Sequence, residues 1–258
     1  MTAAFHVPPV PRIDLTDYRG SAEDRRRVAD LMARVPTGLT SALDAGARDG
    51  HLSRLLCRYV AKVTALDIQM PTIEHEGISC VQGSVTSLPF ADGSFDLALC
   101  AEVLELVPAV EQACAELGRV SRRFLLIGVP FRQDIRLGRT TCEHCAGHSP
   151  PWGHVNSFDE KRLEALFPGY RVTSTGLIGS TREVTNGLSA ALMNFAGNPY
   201  GTYEQEESCI HCGHHPGHPG QRTLLQQAAT RMALTLRQIQ VAATSPRAKW
   251  IHQLLERR

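Results

Sequence analysis

The sequence has no long hydrophobic run and almost no excess of charge. None of its apolar runs reaches the ~18 residues that mark a membrane-spanning helix, and its formal net charge is +1. The two tight basic clusters, Arg25–Arg27 and Arg122–Arg123, are interpreted as solvated surface, which argues against a nucleic-acid-binding protein. The proline-rich start, with Arg12 and Asp14, lacks the pattern of a signal peptide. We therefore expect a soluble, cytoplasmic protein with no membrane span.

A β-turn-α-β unit is predicted between Ser41 and Asp67. A short apolar run ends in Asp44, a turn with Gly46 and Gly50 follows, and a second apolar run ends in the acid Asp67. In such units the glycines let the backbone approach a ligand, and an acid about twenty residues further on bonds a ribose diol. The pattern predicts a cofactor that contains adenosine. An ordinary βα turn without a ligand is the alternative that this unit alone leaves open.

The turn resembles the first motif of the Rossmann-like S-adenosylmethionine methyltransferases, which is usually written Asp-x-Gly-x-Gly-x-Gly. Asp44, Gly46 and Gly50 match the aspartate and the outer glycines, whereas Arg48 occupies the position of the middle glycine. Because a positive φ is costly for arginine and not for glycine, we infer that this position does not need a positive φ here.

A second stretch, residues 83–107, is similar to the adenine-contacting and fourth-strand motifs of the same family. Relatives usually read Gly-Asp-Ala-x-x-Leu-Pro-Phe-x-Asp-x-Ser-Phe-Asp, then a strand and Val-Leu-Glu-His. This chain reads Gly83-Ser-Val-Thr-Ser-Leu-Pro-Phe-Ala-Asp-Gly-Ser-Phe-Asp96 and, after the strand, Val103-Leu-Glu-Leu106. Ser84 stands where relatives often have an aspartate that bonds the adenine amino group, so that bond is expected to be weaker or to come from elsewhere. With both motifs present, the chain is identified as a member of this methyltransferase family.

The resemblance implies a cofactor site at the carboxyl ends of the strands. Its residues are Asp44, Gly46, Ala47, Gly50, Asp67, Ile68, Gly83, Ser84, Val85 and Glu102. Glu102 is also a candidate catalytic residue, because relatives place this position beside the methyl group. It would position an acceptor or orient the methionine ammonium; an acid that complements a helix N-terminus is the alternative.

His154 is the candidate general base. Relatives often carry Gly-His-x-x-x-Phe near the acceptor pocket, and this chain has Gly153-His154 followed by Phe158. An imidazole with a pKa of about 6.5 can accept a proton at neutral pH. The alternative is a histidine that packs in its loop or shapes the pocket without transferring a proton.

Alternating strand and helix patterns predict an α/β fold, with helices on both faces of a mostly parallel sheet. The predicted strands lie near residues 41–45, 62–67, 78–82, 96–100, 123–129 and 170–178, and the predicted helices near 21–34, 50–60, 109–119, 157–167 and 221–243. The resemblance adds a seventh, antiparallel strand at Ala248–Glu256, for which a helical tail is the alternative. Residues 1–20, 131–157 and 180–220 are expected to be irregular.

Three segments are predicted from these patterns. Residues 1–35 form an N-terminal lead and a cap helix. Residues 36–180 form the Rossmann-like core, with an insertion at 131–157. Residues 181–258 contain a second insertion, a helix and the closing element of a doubly wound, seven-stranded sheet.

Two Cys-x-x-Cys hooks, Cys142–Cys145 and Cys209–Cys212, lie in the two irregular insertions. In a cytoplasmic protein, cysteines are expected to be thiols or metal ligands rather than disulfides. Four thiolates satisfy a tetrahedral zinc ion, so we expect a structural zinc site that clamps the insertions together and stabilises their fold. A site of three cysteines and one histidine, a redox pair, and unliganded thiols are the alternatives. The remaining cysteines are expected to be small core residues: Cys57, Cys80, Cys100 and Cys114.

The leading functional hypothesis is a methyltransferase that acts on an oxygen or nitrogen of a small molecule, such as a sugar, a glycan precursor or a secondary metabolite. The insertions would form a lid over this acceptor. An RNA base methyltransferase that grips nucleic acid with its zinc module is one alternative, but balanced charge and few aromatic residues near the hooks argue against it. A non-catalytic relative that only binds the cofactor is another. No oligomeric state is predicted.

Overall fold

The computed structural model describes residues 15–258, which form two compact units. The sheet unit contains residues 21–133, 154–182 and 245–258. The insertion unit contains residues 134–153 and 183–244, together with the segment that ends at Gly20. Across the described part of the chain, every helix is too short or too polar to cross a membrane.

The strands and helices that the sequence patterns predict are present in the predicted order, together with four further α-helices and strands that the described residues form in the segments predicted to be irregular. The α-helices of the described residues are α1 (Thr16–Gly20), α2 (Ala22–Met32), α3 (His51–Leu56), α4 (Val110–Val120), α5 (Glu160–Leu166), α6 (Gly187–Phe195) and α7 (Leu224–Ala243). The strands are β1 (Ser41–Ala45), β2 (Lys62–Asp67), β3 (Ile78–Gln82), β4 (Phe95–Ala101), β5 (Ser121–Pro130), β6 (Thr140–Thr141), β7 (His148–Ser149), β8 (Tyr170–Ile178) and β9 (Trp250–Arg257).

The sheet unit is built on a seven-stranded sheet with the order β3-β2-β1-β4-β5-β9-β8. The pairs among β1 to β5 are parallel, and β9 runs antiparallel between β5 and β8. The predicted mostly parallel, doubly wound sheet is confirmed, and so is the antiparallel strand at the end of the chain.

Both faces of the sheet are covered, because successive residues of each strand point to opposite sides. On β4, Leu97 and Leu99 pack with Leu31 of α2, while Ala98 and Cys100 pack with the helix α4. Cys100 and Cys114 are buried core residues, as predicted, whereas Cys57 and Cys80 are only partly buried.

The prediction of irregular structure was wrong in three places, one of which is the short hairpin of β6 and β7 within residues 131–157. Residues 16–20 form α1, while residues 1–14 lie outside the described residues. Within the 180–220 segment, α6 begins after Asn186, whose side chain accepts a hydrogen bond from the backbone N–H of Ser189. This N-cap starts a helix among glycine-rich flanks that resemble a loop. The helix α3 is also shorter than predicted and ends at Leu56, because the chain turns back to β2 at Lys62.

A buried polar cluster fixes α2 against β8 and β9. His252 on β9 is fully buried, and its Nδ1 lies 2.8 Å from Asp30 Oδ2 on α2. Arg34 donates hydrogen bonds to Asp30 and to Ser174 Oγ on β8. Burial lowers the pKa of His252 to about 4, although Asp30 acts in the opposite direction. The imidazole is therefore neutral at pH 7.

Acidification from pH 7 toward pH 4.5 is expected to destabilise the protein through His252. The pKa of this imidazole is 6.5 in its ordinary state and about 4 in the folded protein. Between these values the unfolded state binds one more proton, so the free energy of unfolding falls as the pH falls. Urea unfolding midpoints measured across this range should fall less for His252→Asn than for the wild type. A steeper fall in the variant would show that His252 is charged in the fold.

Candidate functional site

The turn after β1 brings the backbone close to neighbouring elements. The N–H groups of Gly46 and Ala47 both donate to the carbonyl of Leu66, at 2.7 and 3.0 Å. Gly46 has a φ of +89°, and a Cβ at this position would collide with Cγ2 of Val103. Gly50, with a φ of +77°, is the N-cap of α3. Position 46 therefore requires glycine, because of both its backbone conformation and the lack of space for a Cβ.

The inference that Arg48 does not need a positive φ was wrong. Arg48 has a φ of +50°, the left-handed conformation that glycine adopts readily and arginine rarely. Its backbone N–H donates to Asp67 Oδ2 at 2.8 Å. This hydrogen bond, between residues nineteen positions apart, holds the arginine in a conformation that costs an L-residue roughly 1 kcal/mol.

Arg48→Gly is expected to leave stability within about 0.5 kcal/mol of the wild type, because glycine adopts φ > 0 without strain but loses more chain entropy on folding. Arg48→Val is expected to lower the free energy of unfolding by about 1–2 kcal/mol, because β-branched residues strongly disfavour this region. Both variants remove the arginine side chain, so their difference reports on φ. Urea unfolding measures it. A valine variant as stable as the glycine variant would contradict the left-handed conformation.

Asp67 ends β2 and is oriented by two backbone groups. Oδ2 accepts the N–H of Arg48 at 2.8 Å, and Oδ1 accepts the N–H of Gln69 at 3.1 Å. The carboxylate is thus fixed beside the glycine turn, and its oxygens are acceptors, which is what the hydroxyls of a ribose require. The next residue, Ile68, is 57% exposed. An exposed aliphatic side chain beside this acid can pack against the flat face of a nucleobase.

Asp44 is buried near the end of β1 and is held by α3. Ser53 Oγ donates to Asp44 Oδ2 at 2.6 Å. Burial raises the pKa of Asp44 to about 6, although the hydrogen bond from Ser53 acts in the opposite direction. The residue matched to the family's aspartate therefore ties β1 to the helix that follows the glycine turn.

The segment after β3 lies beside Asp67 through its backbone. The N–H of Gly83 donates to the carbonyl of Asp67 at 2.9 Å. The hydroxyl of Ser84 lies 2.7 Å from Thr86 Oγ1 and accepts the N–H of Thr86, so it makes a local turn instead of projecting as an aspartate would. Val85 is buried in the core. These residues shape the edge of the site through backbone position.

Glu102 directly follows β4 and carries a buried carboxyl oxygen with no hydrogen-bond partner among the described residues, Oε1. This oxygen lies 3.9 Å from Arg27 Nη1, and the other, Oε2, accepts Nε1–H of Trp250 at 3.3 Å. Burial raises the pKa of Glu102, whereas Arg27 acts to lower it. The backbone φ of Glu102 is +59°, a conformation sparsely populated by non-glycine residues and enriched at functional sites. Buried polar atoms rarely lack a partner, so Oε1 is suited to a ligand donor.

Glu102 does not lie in the first turn of an α-helix. The residues after it form a short 3-10 turn at Leu104–Leu106, and α4 begins only at Val110. Its contacts are with Arg27 and Trp250 instead. The alternative interpretation, an acid that complements a helix N-terminus, lacks the helix that it requires.

His154 lies on a loop that is bonded to the turn after β4. The N–H groups of the next two residues, Val155 and Asn156, donate to the carbonyl of Glu105 at 2.8 and 3.1 Å. The Nδ1 atom of His154 lies 2.6 Å from Oε1 of Gln133. Burial lowers the pKa of His154 to about 4, so the ring is neutral at pH 7. A neutral imidazole can accept a proton.

Three residues around this site were missed or misread from the sequence. Arg27 was grouped with a solvated basic cluster, but it is buried and makes two hydrogen bonds with Asp24 Oδ1, at 3.0 and 2.7 Å. Its spacing of four residues from Leu31, which faces the sheet, was the available signal. Trp250 and Gln133 gave no such signal, because their contacts join residues far apart in the chain or in irregular segments.

The four cysteines of the two hooks lie together in the insertion unit. Their sulfur atoms are all within 4.8 Å of one another, and the distances from Cys142 to Cys212 and from Cys145 to Cys209 are both 3.6 Å. A tetrahedral zinc ion with Zn–S bonds of about 2.3 Å places its sulfurs about 3.8 Å apart. A disulfide needs about 2.05 Å, and these thiols are free. The geometry fits four thiolate ligands around one metal ion.

The two hooks have the same backbone structure. In the first, Ala146 N–H donates to the carbonyl of Cys142, and Cys142 N–H donates to Gly147, both at 2.9 Å. In the second, Gly213 N–H donates to Cys209, and Cys209 N–H donates to His214, at 2.8 and 2.9 Å. Ala146 and Gly213, at equivalent positions, have φ values of +56° and +72°. Two turns of one geometry that face each other are typical of a closed structural zinc site.

Comparisons with known proteins agree with the sheet unit. Residues 43–123 match the family described as "Methyltransferase domain". Over 115 residues the chain is 33% identical to malonyl-(acyl-carrier protein) O-methyltransferase of Pseudescherichia vulneris. This alignment covers 41% of this chain and 45% of that protein. Over 129 residues it is 30% identical to sterol methyltransferase-like 2 of Botryococcus braunii. This alignment covers 45% of this chain and 32% of that protein. The matched part is thus less than half the length of each curated relative.

The fold is similar to that of the YcgJ protein of Bacillus subtilis. The TM-score is 0.55 at 14% identity, and the likeness covers 91% of this chain and 98% of that chain. At this identity the likeness shows the fold alone. The family match, together with the two curated relatives, supports an S-adenosylmethionine-dependent methyltransferase of class I.

Proposed function

We propose that this chain is a methyltransferase that transfers the methyl group of S-adenosylmethionine to an oxygen or nitrogen of a small molecule. The observation that carries the proposal is the turn after β1, where the N–H of Arg48 fixes the carboxylate of Asp67 beside Gly46. This turn lies within the stretch that matches the methyltransferase family.

The residues of the sheet unit fit this cofactor. Asp67 would accept hydrogen bonds from the ribose hydroxyls, and Ile68 would cover one face of the adenine. Oε1 of Glu102, which lies 3.9 Å from Arg27 Nη1 and has no hydrogen-bond partner among the described residues, is a suitable acceptor for the methionine ammonium. Gly46 leaves space where a Cβ would collide with Val103, so the backbone of the turn can approach a ligand closely.

When bound, S-adenosylmethionine supplies an electrophilic methyl group, and the chain has to hold the acceptor in line and take up its proton. His154 is neutral at pH 7 because its pKa is about 4. It can therefore accept a proton from an acceptor hydroxyl. A weak base suffices, since the hydroxyl proton becomes strongly acidic as the methyl–oxygen bond forms.

A small-molecule acceptor is favoured over nucleic acid by the charge of the chain. The formal net charge is +1, so there is no general excess of basic residues to neutralise phosphates. The names of the two curated relatives refer to a malonyl group on a carrier protein and to a sterol, and neither refers to a nucleic acid.

We propose in addition that Cys142, Cys145, Cys209 and Cys212 hold a structural zinc ion. The support is the fit of the sulfur distances to a tetrahedral site and the repeated geometry of the two hooks. Four protein thiolates would leave zinc no open position for a water or a substrate, so the ion would stabilise the insertion unit rather than take part in catalysis.

Transfer of a labelled methyl group tests the proposed reaction. The purified chain is incubated with methyl-labelled S-adenosylmethionine and a cell extract separated into RNA, protein and small-molecule fractions. We expect label in the small-molecule fraction from the wild type and from Asp92→Ala, whose side chain is 81% exposed at the opposite end of β4. At limiting cofactor, Asp67→Ala should give about 100-fold less label than the wild type. Label in RNA would overturn the acceptor class, and no label in any fraction would overturn the methyl transfer itself.

A further inference from the structure

The loop that carries His154 is fixed more firmly than its irregular backbone suggests. Asn156 Nδ2 donates to the carbonyls of Leu104 and Val107, at 3.0 and 2.7 Å. Arg162 Nη2 donates to Asn156 Oδ1 at 2.9 Å. The buried amide of Asn156 thus joins the turn after β4 to α5, and His154 is held two residues before it. A histidine that only filled a loop would not need this bracing.

Gln133 is held against the same loop from the other side. Arg132 has a φ of +49°, and its N–H donates to the carbonyl of Phe158 at 2.7 Å. The carbonyl of Gln133 accepts Ser157 Oγ–H at 2.8 Å. Left-handed backbone at a non-glycine residue costs roughly 1 kcal/mol and is found where a side chain has to be aimed. Here the residue that follows the strained one is Gln133, and its side chain reaches His154.

We propose that Gln133 is a positioning residue: its amide oxygen accepts Nδ1–H of His154 and so leaves the lone pair of Nε2 available for the acceptor's proton. The role of Nε2 rests on the proposed function, while the tautomer does not. The distance from Nδ1 to Oε1 is 2.6 Å, and an amide oxygen can only accept. Among the described residues, the contact with Gln133 is the one hydrogen bond of the His154 ring, so it leaves Nε2 without a protein partner.

The chemistry of an amide explains why this residue is not a carboxylate. A carboxylate on Nδ1–H would stabilise the charged imidazolium and raise its pKa, whereas a neutral amide orients the ring without favouring its charged form. Burial is the cause that lowers the pKa of His154 to about 4. Residues with ionisable side chains that bond to this loop include Glu105, through its backbone carbonyl, Arg162, through its guanidinium, and Arg132, through its backbone N–H. The ring therefore stays neutral, with one tautomer fixed.

Nitrogen-15 NMR of the histidine rings tests the inference without an acceptor. In histidine-labelled protein with S-adenosylhomocysteine, His154→Asn identifies the signals of His154 among the 11 histidines. We expect the Nδ1–H tautomer in the wild type between pH 6 and pH 8. Gln133→Met is similar in size but replaces the amide oxygen with a thioether, which is only a weak acceptor. Because Nδ1–H then lacks a good partner, the ring should shift mainly to the Nε2–H tautomer.

Gln133→Glu supplies the matched rescue. It restores an acceptor for Nδ1–H, so the tautomer should return, while the pKa of His154 rises and the acid limb of the pH–rate profile moves to higher pH. The Met variant should lower kcat by at least about tenfold with an unchanged KM for the cofactor. An Nε2–H tautomer in the wild type, or an Nδ1–H tautomer that survives in Gln133→Met, would overturn the inference. The expected tautomers without any methyl transfer would sink only the proposed function.

Discussion

Asp67→Ala is expected to weaken the binding of S-adenosylhomocysteine by about 100-fold, which corresponds to about 3 kcal/mol. The carboxylate holds the N–H groups of Arg48 and Gln69 at 2.8 and 3.1 Å. The variant would remove the acceptor for the ribose hydroxyls and also release the N–H groups of Arg48, in the glycine turn, and of Gln69, after β2. Isothermal titration calorimetry measures the dissociation constant directly and does not require the acceptor to be known.

Asp67→Asn separates the two effects of this change. Asparagine keeps one carbonyl oxygen but replaces the other with an NH₂ group, which would face a backbone N–H of Arg48 or Gln69 as a second donor. We expect an intermediate loss, about tenfold, because one backbone hydrogen bond and one acceptor remain. Asp92→Ala should bind as the wild type does. Binding of Asp67→Ala within threefold of the wild type, with an unchanged circular dichroism spectrum, would mean that the adenosine lies elsewhere.

The arrangement of the sheet could be predicted from the sequence because its causes are local. Apolar runs that alternate with helical patterns indicate parallel strands, and the acids at the ends of two of them, Asp44 and Asp67, fall at one edge. The position of β9 needed more than the pattern. An apolar run around Trp250 is compatible with a strand or a helix. The structure shows a strand, because this segment fills the position between β5 and β8 in the sheet.

The backbone of Arg48 shows where sequence reasoning failed. A left-handed backbone is costly for arginine, but the hydrogen bond from its N–H to Asp67 outweighs that cost. That partner is nineteen residues away at the end of β2, whereas Arg48 lies in the turn after β1. Arg27 failed for a similar reason: three adjacent arginines suggest a solvated patch, yet helical geometry turns one of them inward toward Asp24 and Glu102.

The cysteine hooks were predictable as a pair but not as a structure. Spacing alone indicates two turns that can hold a metal ion. It cannot show that Ala146 adopts the conformation of Gly213, or that the first hook is the loop of the β6–β7 hairpin. The fold of the insertion unit therefore depends on contacts between segments that are about sixty residues apart, and the proposed metal ion would supply the strongest of them.

Removal of zinc is expected to unfold the hooks while the sheet unit stays folded. Purified under reducing conditions, the chain should contain one zinc ion per molecule by mass spectrometry. Four thiolates in small zinc domains contribute about 10 kcal/mol of binding energy to folding. Treatment with a chelator, or Cys209→Ser, should therefore increase amide hydrogen exchange around residues 142–149 and 209–214 by well over tenfold. The strands β1 to β5 should keep their protection, because their core contains none of these cysteines.

Cys57→Ser is the matched control, since Cys57 is a partly buried thiol of the sheet unit. It should bind zinc and exchange as the wild type does. The four hook cysteines can also be tested singly: if three cysteines and one histidine held the ion, one of the four serine variants would retain it. Reduced protein that contains no zinc, with hooks that remain protected from exchange, would contradict the proposal. The paired turns would then be held by their backbone hydrogen bonds and packing alone, and the 3.6 Å sulfur contacts would be those of free thiols.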